Sequence, residues 1–384
     1  MRREYWAFGS FGLAVALVVG GCTSDSPSAT SPTLGTSSAA AAGSPSGGPG
    51  DRQPIAAVDL NTDGVSPGGA NTADVVAATN TFLALLDQEQ RDTVEYDFSD
   101  SQARQTWSNY PAGTVPREGI ALADLTSEQL DAAYAVLKVA LSGVGYQQDR
   151  DIQAADDFLA GLGGRGADMF SSVKDYFIAV YGKPSEDRPF MVQFGGHHLA
   201  RNLTYNGDDV SQTPQFVGSE PTSFDVDGVT VRPVGAESSS MFAMIDALTD
   251  RQRGAAEITS GTFDDLLMGP GKDSGTFPTP EGLPVSDLDA TQRAAVLAAI
   301  RTYVGDLSTD AATRLLAEYQ SELDDTRIGW SNNSGPTDEN SYIRIDGPSV
   351  WIEFINTRSN STPNIHYHSV YRDKNNDYGS SKPS

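Results

Sequence analysis

Four times in this chain a leucine is followed by a short oxygen-bearing side chain and, three residues later, a glutamine. The copies are Asp87-Gln88-Glu89-Gln90, Thr126-Ser127-Glu128-Gln129, Thr249-Asp250-Arg251-Gln252 and Asp289-Ala290-Thr291-Gln292. This is capping-box spacing: the first side chain accepts from the backbone N–H at the third helical position, and the glutamine reaches back to the cap's own N–H. Each copy therefore predicts a helix start. Stretches 130–141 and 293–304 continue as Ala-rich runs with periodic Leu and Val. Asn71-Thr72-Ala73-Asp74 opens another, with Val75, Val76, Phe82, Leu83, Leu85 and Leu86 fitting a period of 3.6. The copies are unevenly spaced and are read as shared capping chemistry, not as a repeat architecture.

Elsewhere the pattern changes to that of strands. Tyr176-Phe177-Ile178-Ala179-Val180-Tyr181 precedes a Gly182-Lys183-Pro184 turn, and Met191-Val192-Gln193-Phe194 follows. Residues 222–231 predict a hairpin around Asp227-Gly228. Tyr342-Ile343-Arg344-Ile345 and Val350-Trp351-Ile352-Glu353-Phe354-Ile355 flank the Asp346-Gly347-Pro348 turn signal, and 366–372 predicts a last strand. The expected fold is α+β: a helix-rich N-terminal half packed against a mainly antiparallel sheet, as one body over 71–384.

The first residues read as an address. Arg2 and Arg3 precede an apolar stretch over about 5–19, which is shorter than the roughly 20 residues a spanning helix needs. It ends in Val19-Gly20-Gly21-Cys22, and Cys22 is the chain's single cysteine. This resembles a bacterial lipoprotein signal over 1–21, with Cys22 lipidated. Residues 22–70, rich in Ser, Thr, Ala, Gly and Pro, then read as a flexible tether. The expectation is an extracytoplasmic protein held at the cell membrane by its lipid anchor. One cysteine allows no intrachain disulfide. A net charge of −25 argues against nucleic acid as a partner, because phosphate backbones reward Lys and Arg.

All four histidines fall in two short motifs: Gly195-Gly196-His197-His198-Leu199-Ala200-Arg201-Asn202, and His366-Tyr367-His368-Ser369-Val370-Tyr371-Arg372-Asp373 followed by Asn375-Asn376-Asp377-Tyr378-Gly379. On an extended strand His366 and His368 share a face. His197 and His198 would diverge on a strand and converge from a loop; if one points inward, three histidines plus water or a carboxylate make a site with an open position. His197, His198, His366 and His368 are thus the candidate ligands of a divalent metal, with zinc, copper or iron suited to imidazole. Glu353 and Asp377 are candidate general bases or further ligands. Arg201, Asn202, Arg372 and Asp373 are candidate binding residues. The alternative is a buried polar network, to which Arg201, Arg372, Asp373 and Asp377 are suited through bidentate Arg–carboxylate pairing. Acidic doublets such as Asp156-Asp157 and Asp264-Asp265 read as solvated.

These two motifs resemble a bacterial and fungal family known only as domain of unknown function 3500. Further parts of the resemblance are Trp107-Ser108-Asn109-Tyr110-Pro111, Arg117-Glu118-Gly119-Ile120, Thr213-Pro214-Gln215-Phe216-Val217-Gly218-Ser219-Glu220-Pro221 and Ile345-Asp346-Gly347-Pro348-Ser349-Val350-Trp351-Ile352-Glu353. It covers about 75–379 and implies a single unit, with no activity attached.

The sequence carries no phosphate-binding Gly-x-x-x-x-Gly-Lys-Ser/Thr loop, no His-Glu-x-x-His helix and no Gly-x-Ser-x-Gly elbow. Three functions stay open: a surface-anchored metal-dependent hydrolase, a lipoprotein that binds a metal or small ligand without catalysis, and a scaffold whose histidines lock the C-terminus.

Overall fold

A computed structural model describes residues 69–163, 167–359, 361 and 364–379. The expected signal segment, Cys22 and the tether up to residue 68 lie outside the described residues. The first half of the body contains α1 (Thr72–Leu85), α2 (Gln88–Val94), β1 (Glu95–Tyr96), α3 (Ser101–Arg104), β2 (Ile120–Ala121), α4 (Ser127–Ala140), α5 (Gly143–Leu162), β3 (Phe177–Tyr181), β4 (Phe190–Gly196), β5 (Leu199–Asn206), β6 (Asp209–Ser211) and β7 (Gln215–Ser219). A small hairpin follows, β8 (Phe224–Val226) and β9 (Val229–Val231). The second half contains α6 (Gly235–Asp246), α7 (Asp250–Ala256), β10 (Leu283–Pro284), α8 (Ala290–Val304), α9 (Thr309–Ser321), β11 (Arg327–Asn332), β12 (Ser341–Asp346), β13 (Val350–Arg358) and β14 (Ile365–Asp373). The fold is α+β with a mainly antiparallel sheet.

All four capping boxes form, at Asp87, Thr126, Thr249 and Asp289. Each is worth about 1 kcal/mol to its helix. Their glutamines do more than cap. Gln129 Nε2 donates to Gln90 Oε1 (2.7 Å) and Leu85 O (2.9 Å), and Gln90 Nε2 returns a bond to Gln129 Oε1 (3.2 Å). Gln292 Nε2 donates in the same way to Gln252 Oε1 (2.8 Å) and Ala247 O (2.9 Å), and Gln252 Nε2 returns to Gln292 Oε1 (3.0 Å).

That likeness extends to the order of the main strands, although among the described residues β6, which pairs with β5, and the β8–β9 hairpin have no counterpart in the second half. The sheet runs β1-β3-β4-β5-β7-β14-β13-β12-β11-β10, with β7 and β14 antiparallel at its centre. Outward from that centre, each half repeats the same series of antiparallel strands. β2 pairs with β3 as β10 pairs with β11. β1 runs parallel to β3 just as Glu257 bridges in parallel to Trp330. Gly119 and Gly282, both at positive φ, each bring a Cβ position within 2.3 Å of a carbonyl, Ile178 O and Ile328 O respectively, so only glycine fits either place. The strand order repeats in two halves, which corrects the reading of the capping boxes as shared capping chemistry without a repeat architecture. They form two pairs, with glutamines 39 and 40 residues apart, and the repeat is half the body long.

Helices cover one face of the sheet. The pairs α1–α4 and α6–α8 pack together, and Val136, Leu137, Ile300, Tyr303 and Val304 meet Val192, Leu203, Ile328 and Phe354 in a fully buried core. The other face is covered by the two equivalent long segments, 97–119 and 257–282: Trp107 of the first clusters with Tyr181, Met191, Phe216 and Trp351, and Ile258 and Phe263 of the second with Tyr342 and Ile355. His366 and His368 lie on this second face at the start of β14, one of the two central strands. Among the described residues no helix is long and apolar enough to cross a membrane.

Candidate metal centre

Alternation along β14 puts His366, His368, Val370 and Arg372 on the segment-covered face, while Tyr371 and Asp373 meet Tyr319 on the helix face. His366 and His368 converge as the spacing predicts: their ring centroids are 4.6 Å apart and their Nε2 atoms 3.0 Å apart. His197 and His198 form the two-residue turn between β4 and β5. His198 takes a left-handed backbone, φ 59°, a conformation that costs about 1–2 kcal/mol for a residue with a Cβ. It is held there from both sides: its N–H donates to Asn109 O (3.1 Å), and its carbonyl accepts from Gly218 N–H (2.8 Å). Gly218 on β7 has no room for a side chain, since a Cβ would lie 3.0 Å from the His198 ring and 2.6 Å from Tyr367 O. The glycine lets the imidazole lie against the central strand.

The turn sends its two rings to different tasks. His198 sits 5.2 Å, centroid to centroid, from both His366 and His368. One ring nitrogen from each of the three lies within 4.8 Å of the others, and all three residues are buried, so the group could hold a metal ion. His197 stacks 3.8 Å from His198 and gives Nδ1 to Asp156 Oδ1 at 2.6 Å. Asp156 lies on α5, and the Tyr176 hydroxyl shares its one proton between Asp156 Oδ2 and His197 O, each 2.8 Å away. A second group, His197, His198 and Glu220, has the same compactness. Glu220 accepts from Ser361 N–H (3.1 Å) and from the Ser359 hydroxyl.

Burial and neighbouring imidazoles hold His198 well below the usual histidine range, and burial with His368 and His197 beside it pushes His366 down to about 3. Both rings are therefore neutral at neutral pH, the form that ligates. His368 Nδ1 meets Asp265 Oδ1 at 2.9 Å. Partial desolvation would raise the pKa of Asp265, but the hydrogen bond and charge of His368 outweigh it and lower it. Thr357 Oγ1 lies 2.8 Å from His366 Nε2, and Asn109 Nδ2 lies 3.5 Å from His368 Nε2. All four histidines line a cleft of about 510 Å³, together with Glu220, Asp264, Asp265, Glu339, Arg358, Tyr110 and Phe170.

The remaining site candidates lie elsewhere. Glu353 is fully buried and saturated, accepting from Leu267 N–H (2.7 Å), Met268 N–H (2.8 Å), Tyr342 Oη (2.8 Å) and Trp351 Nε1 (2.8 Å). It has no oxygen left for an ion or a proton in flight. Asp377 pairs with Arg372 at 3.0 Å and lines a second cleft of about 380 Å³. Arg201 points to the helix face, bonded to Asp149 (2.7 Å), Asp306 (2.6 Å) and Gln148 (2.9 Å). Asn202 accepts from Gln193 (2.7 Å) and donates to Pro214 O (2.6 Å). Asp373 accepts from Tyr319 Oη at 3.0 Å. Arg201, Asn202, Arg372 and Asp373 thus belong to buried polar networks around the cluster.

Sequence reasoning missed Asp156, Asp265 and Glu220. In sequence Asp156-Asp157 reads as a solvated doublet, yet Asp156 is 2% exposed, while its neighbour Asp157 is exposed. Glu220 carried a usable signal, since it stands inside one of the segments of the family resemblance.

No curated protein matches this chain, and no solved structure does. One family matches over residues 68–380, nearly the whole folded body and both histidine motifs, and the chain belongs to it: Protein of unknown function (DUF3500).

Proposed function

We propose that this protein is a lipid-anchored, extracytoplasmic metalloprotein whose His198, His366 and His368 hold one divalent cation for hydrolysis. The observation that carries the reading is the convergence of three buried imidazoles, from two distant segments, on the wall of an open cleft. Three nitrogens leave a fourth position for water. A divalent ion held by His198, His366 and His368 would supply a lowered water pKa and polarisation of a carbonyl oxygen. Zinc suits such a site, and copper or iron also accept imidazole.

The cleft favours a neutral or cationic substrate with an apolar part. Glu220, Asp264, Asp265 and Glu339 face it against Arg358, the one Lys or Arg among the described residues lining it, which disfavours phosphoesters. Tyr110 (51% exposed) and Met169 (46%) stand on its rim as exposed apolar groups.

A second reading, binding without turnover, draws support from Glu220. Its carboxylate groups with His197 and His198 and would offer a further ligand beside the three-histidine set.

Metal analysis of protein purified without a nickel column tests both readings. About one equivalent of zinc, copper or iron is expected, and under roughly a tenth with no uptake on titration overturns them. Turnover of neutral aryl esters or amides, with none of aryl phosphates, separates hydrolase from binder. Cys22→Ser is expected to release the protein from the membrane fraction.

A further inference from the structure

We propose that Glu353 and Arg372 are positioning residues for the histidine site: together they fix segment 264–269 so that Asp265 holds His368 in its ligating orientation. This rests on the metal reading above for its consequence, and on hydrogen bonds alone for its geometry.

Glu353 grips two consecutive backbone N–H groups of the segment, Leu267 through Oε1 and Met268 through Oε2. Arg372, on the neighbouring strand and the same sheet face, takes the carbonyls: Nε donates to Met268 O (2.8 Å) and Nη2 to Gly269 O (3.4 Å). Arg372 is itself braced by Asp273 and Asp377, each at 3.0 Å. Burying a carboxylate costs several kcal/mol unless its lone pairs are satisfied. Trp351 and Tyr342 supply the remaining donors, so this charge is retained where it clamps a loop that has no strand partner at this point.

Two residues before the clamp, Asp265 bonds its own segment through Leu266 N–H (2.8 Å) and takes His368 Nδ1. A carboxylate on Nδ1 leaves the His368 Nε2 lone pair facing His366 and His198, the arrangement of carboxylate–histidine–metal sites. Asp265 is 46% exposed, and a carboxylate that exposed holds an imidazole weakly unless its backbone is fixed. The clamp supplies that fixation.

The test uses the full chain and Co²⁺ as probe. Asp265→Asn, Glu353→Gln and Arg372→Lys are each expected to weaken Co²⁺ binding by roughly 10–100-fold. The Asp265→Asn/Glu353→Gln double is expected to lose no more than the worse single. Gln292→Ala, remote from the segment, is expected to leave affinity unchanged. Wild-type affinity in Glu353→Gln, or losses that multiply in the double, overturns the proposal. Arg372→Lys keeps the charge but not the fork, and decides the matter if Glu353→Gln does not fold. A readout without metal separates this inference from the metal reading. The ¹⁵N shifts of His368 are expected to report protonated Nδ1 in wild type and mixed tautomers in Asp265→Asn and Glu353→Gln. Unchanged shifts overturn the clamp, whereas absent Co²⁺ uptake by wild type overturns the metal reading alone.

Discussion

The His198 ring lies 5.2 Å from that of His368, although the first sits on the β4–β5 turn of one half and the second on the last strand of the other. The pair meets because β7 and β14 are neighbours at the centre of the sheet, where the two halves join. Neither half contains the three-nitrogen group by itself. The equivalent turn of the second half, between β12 and β13, carries Gly347-Pro348-Ser349 instead of two histidines.

Removing one of the three nitrogens is expected to abolish metal-linked stabilisation. A site filled at 100 times its Kd adds about 2.7 kcal/mol to the stability of the folded chain. Zinc should therefore raise the unfolding temperature of the wild type by several degrees and leave His198→Ala unmoved. Differential scanning fluorimetry with and without zinc checks this. An equal rise in both proteins contradicts ligation by His198.

Arg201 is the buried cation among Asp149, Asp306 and Gln148. Arg201→Met strands two carboxylates, at an expected cost of about 3–5 kcal/mol in urea unfolding. Adding Asp149→Asn and Asp306→Asn should recover much of that loss, because the remaining groups need no counter-charge.

Glu237 gives a pH test with a definite sign. Burial, with Asp306 nearby, raises its pKa to about 7 while Gln148 donates to its Oε1 at 2.6 Å. A carboxyl whose folded pKa lies above its unfolded value stabilises fully below the unfolded value and loses that contribution as pH rises through the folded one. Wild type should therefore lose on the order of 2 kcal/mol between about pH 5 and 8 that Glu237→Gln does not lose. The two unfolding temperatures should agree near pH 4.5 and diverge in favour of the variant by pH 8.

The duplicated architecture predicts matched energetics. Gln129→Ala and Gln292→Ala each remove a cap, a cross-helix amide pair and a bond to a helix-end carbonyl. Each should cost about 1–2 kcal/mol in urea unfolding, and the double variant should equal their sum within about 0.5 kcal/mol. Strongly unequal costs would break the equivalence of the two halves.

Short-range chemistry was legible in the sequence. The capping boxes, the Asp227-Gly228 turn with both residues at positive φ, the turn at Asp346-Gly347-Pro348 and the shared face of His366 and His368 depend on contacts within a few residues, where spacing sets geometry. The pairing of the two histidine motifs was legible as a grouping. Tertiary structure alone decided what each member does. It turned His198 toward the β14 imidazoles and His197 toward Asp156, brought in Asp265 and Glu220, and committed Glu353 to loop amides. It also showed the duplication, since equivalent positions such as Asn202 and Glu353 share a place in the sheet but not a side chain. Long-range partners are chosen by which surfaces the sheet brings face to face, and one residue's spacing from its neighbours carries no record of that choice.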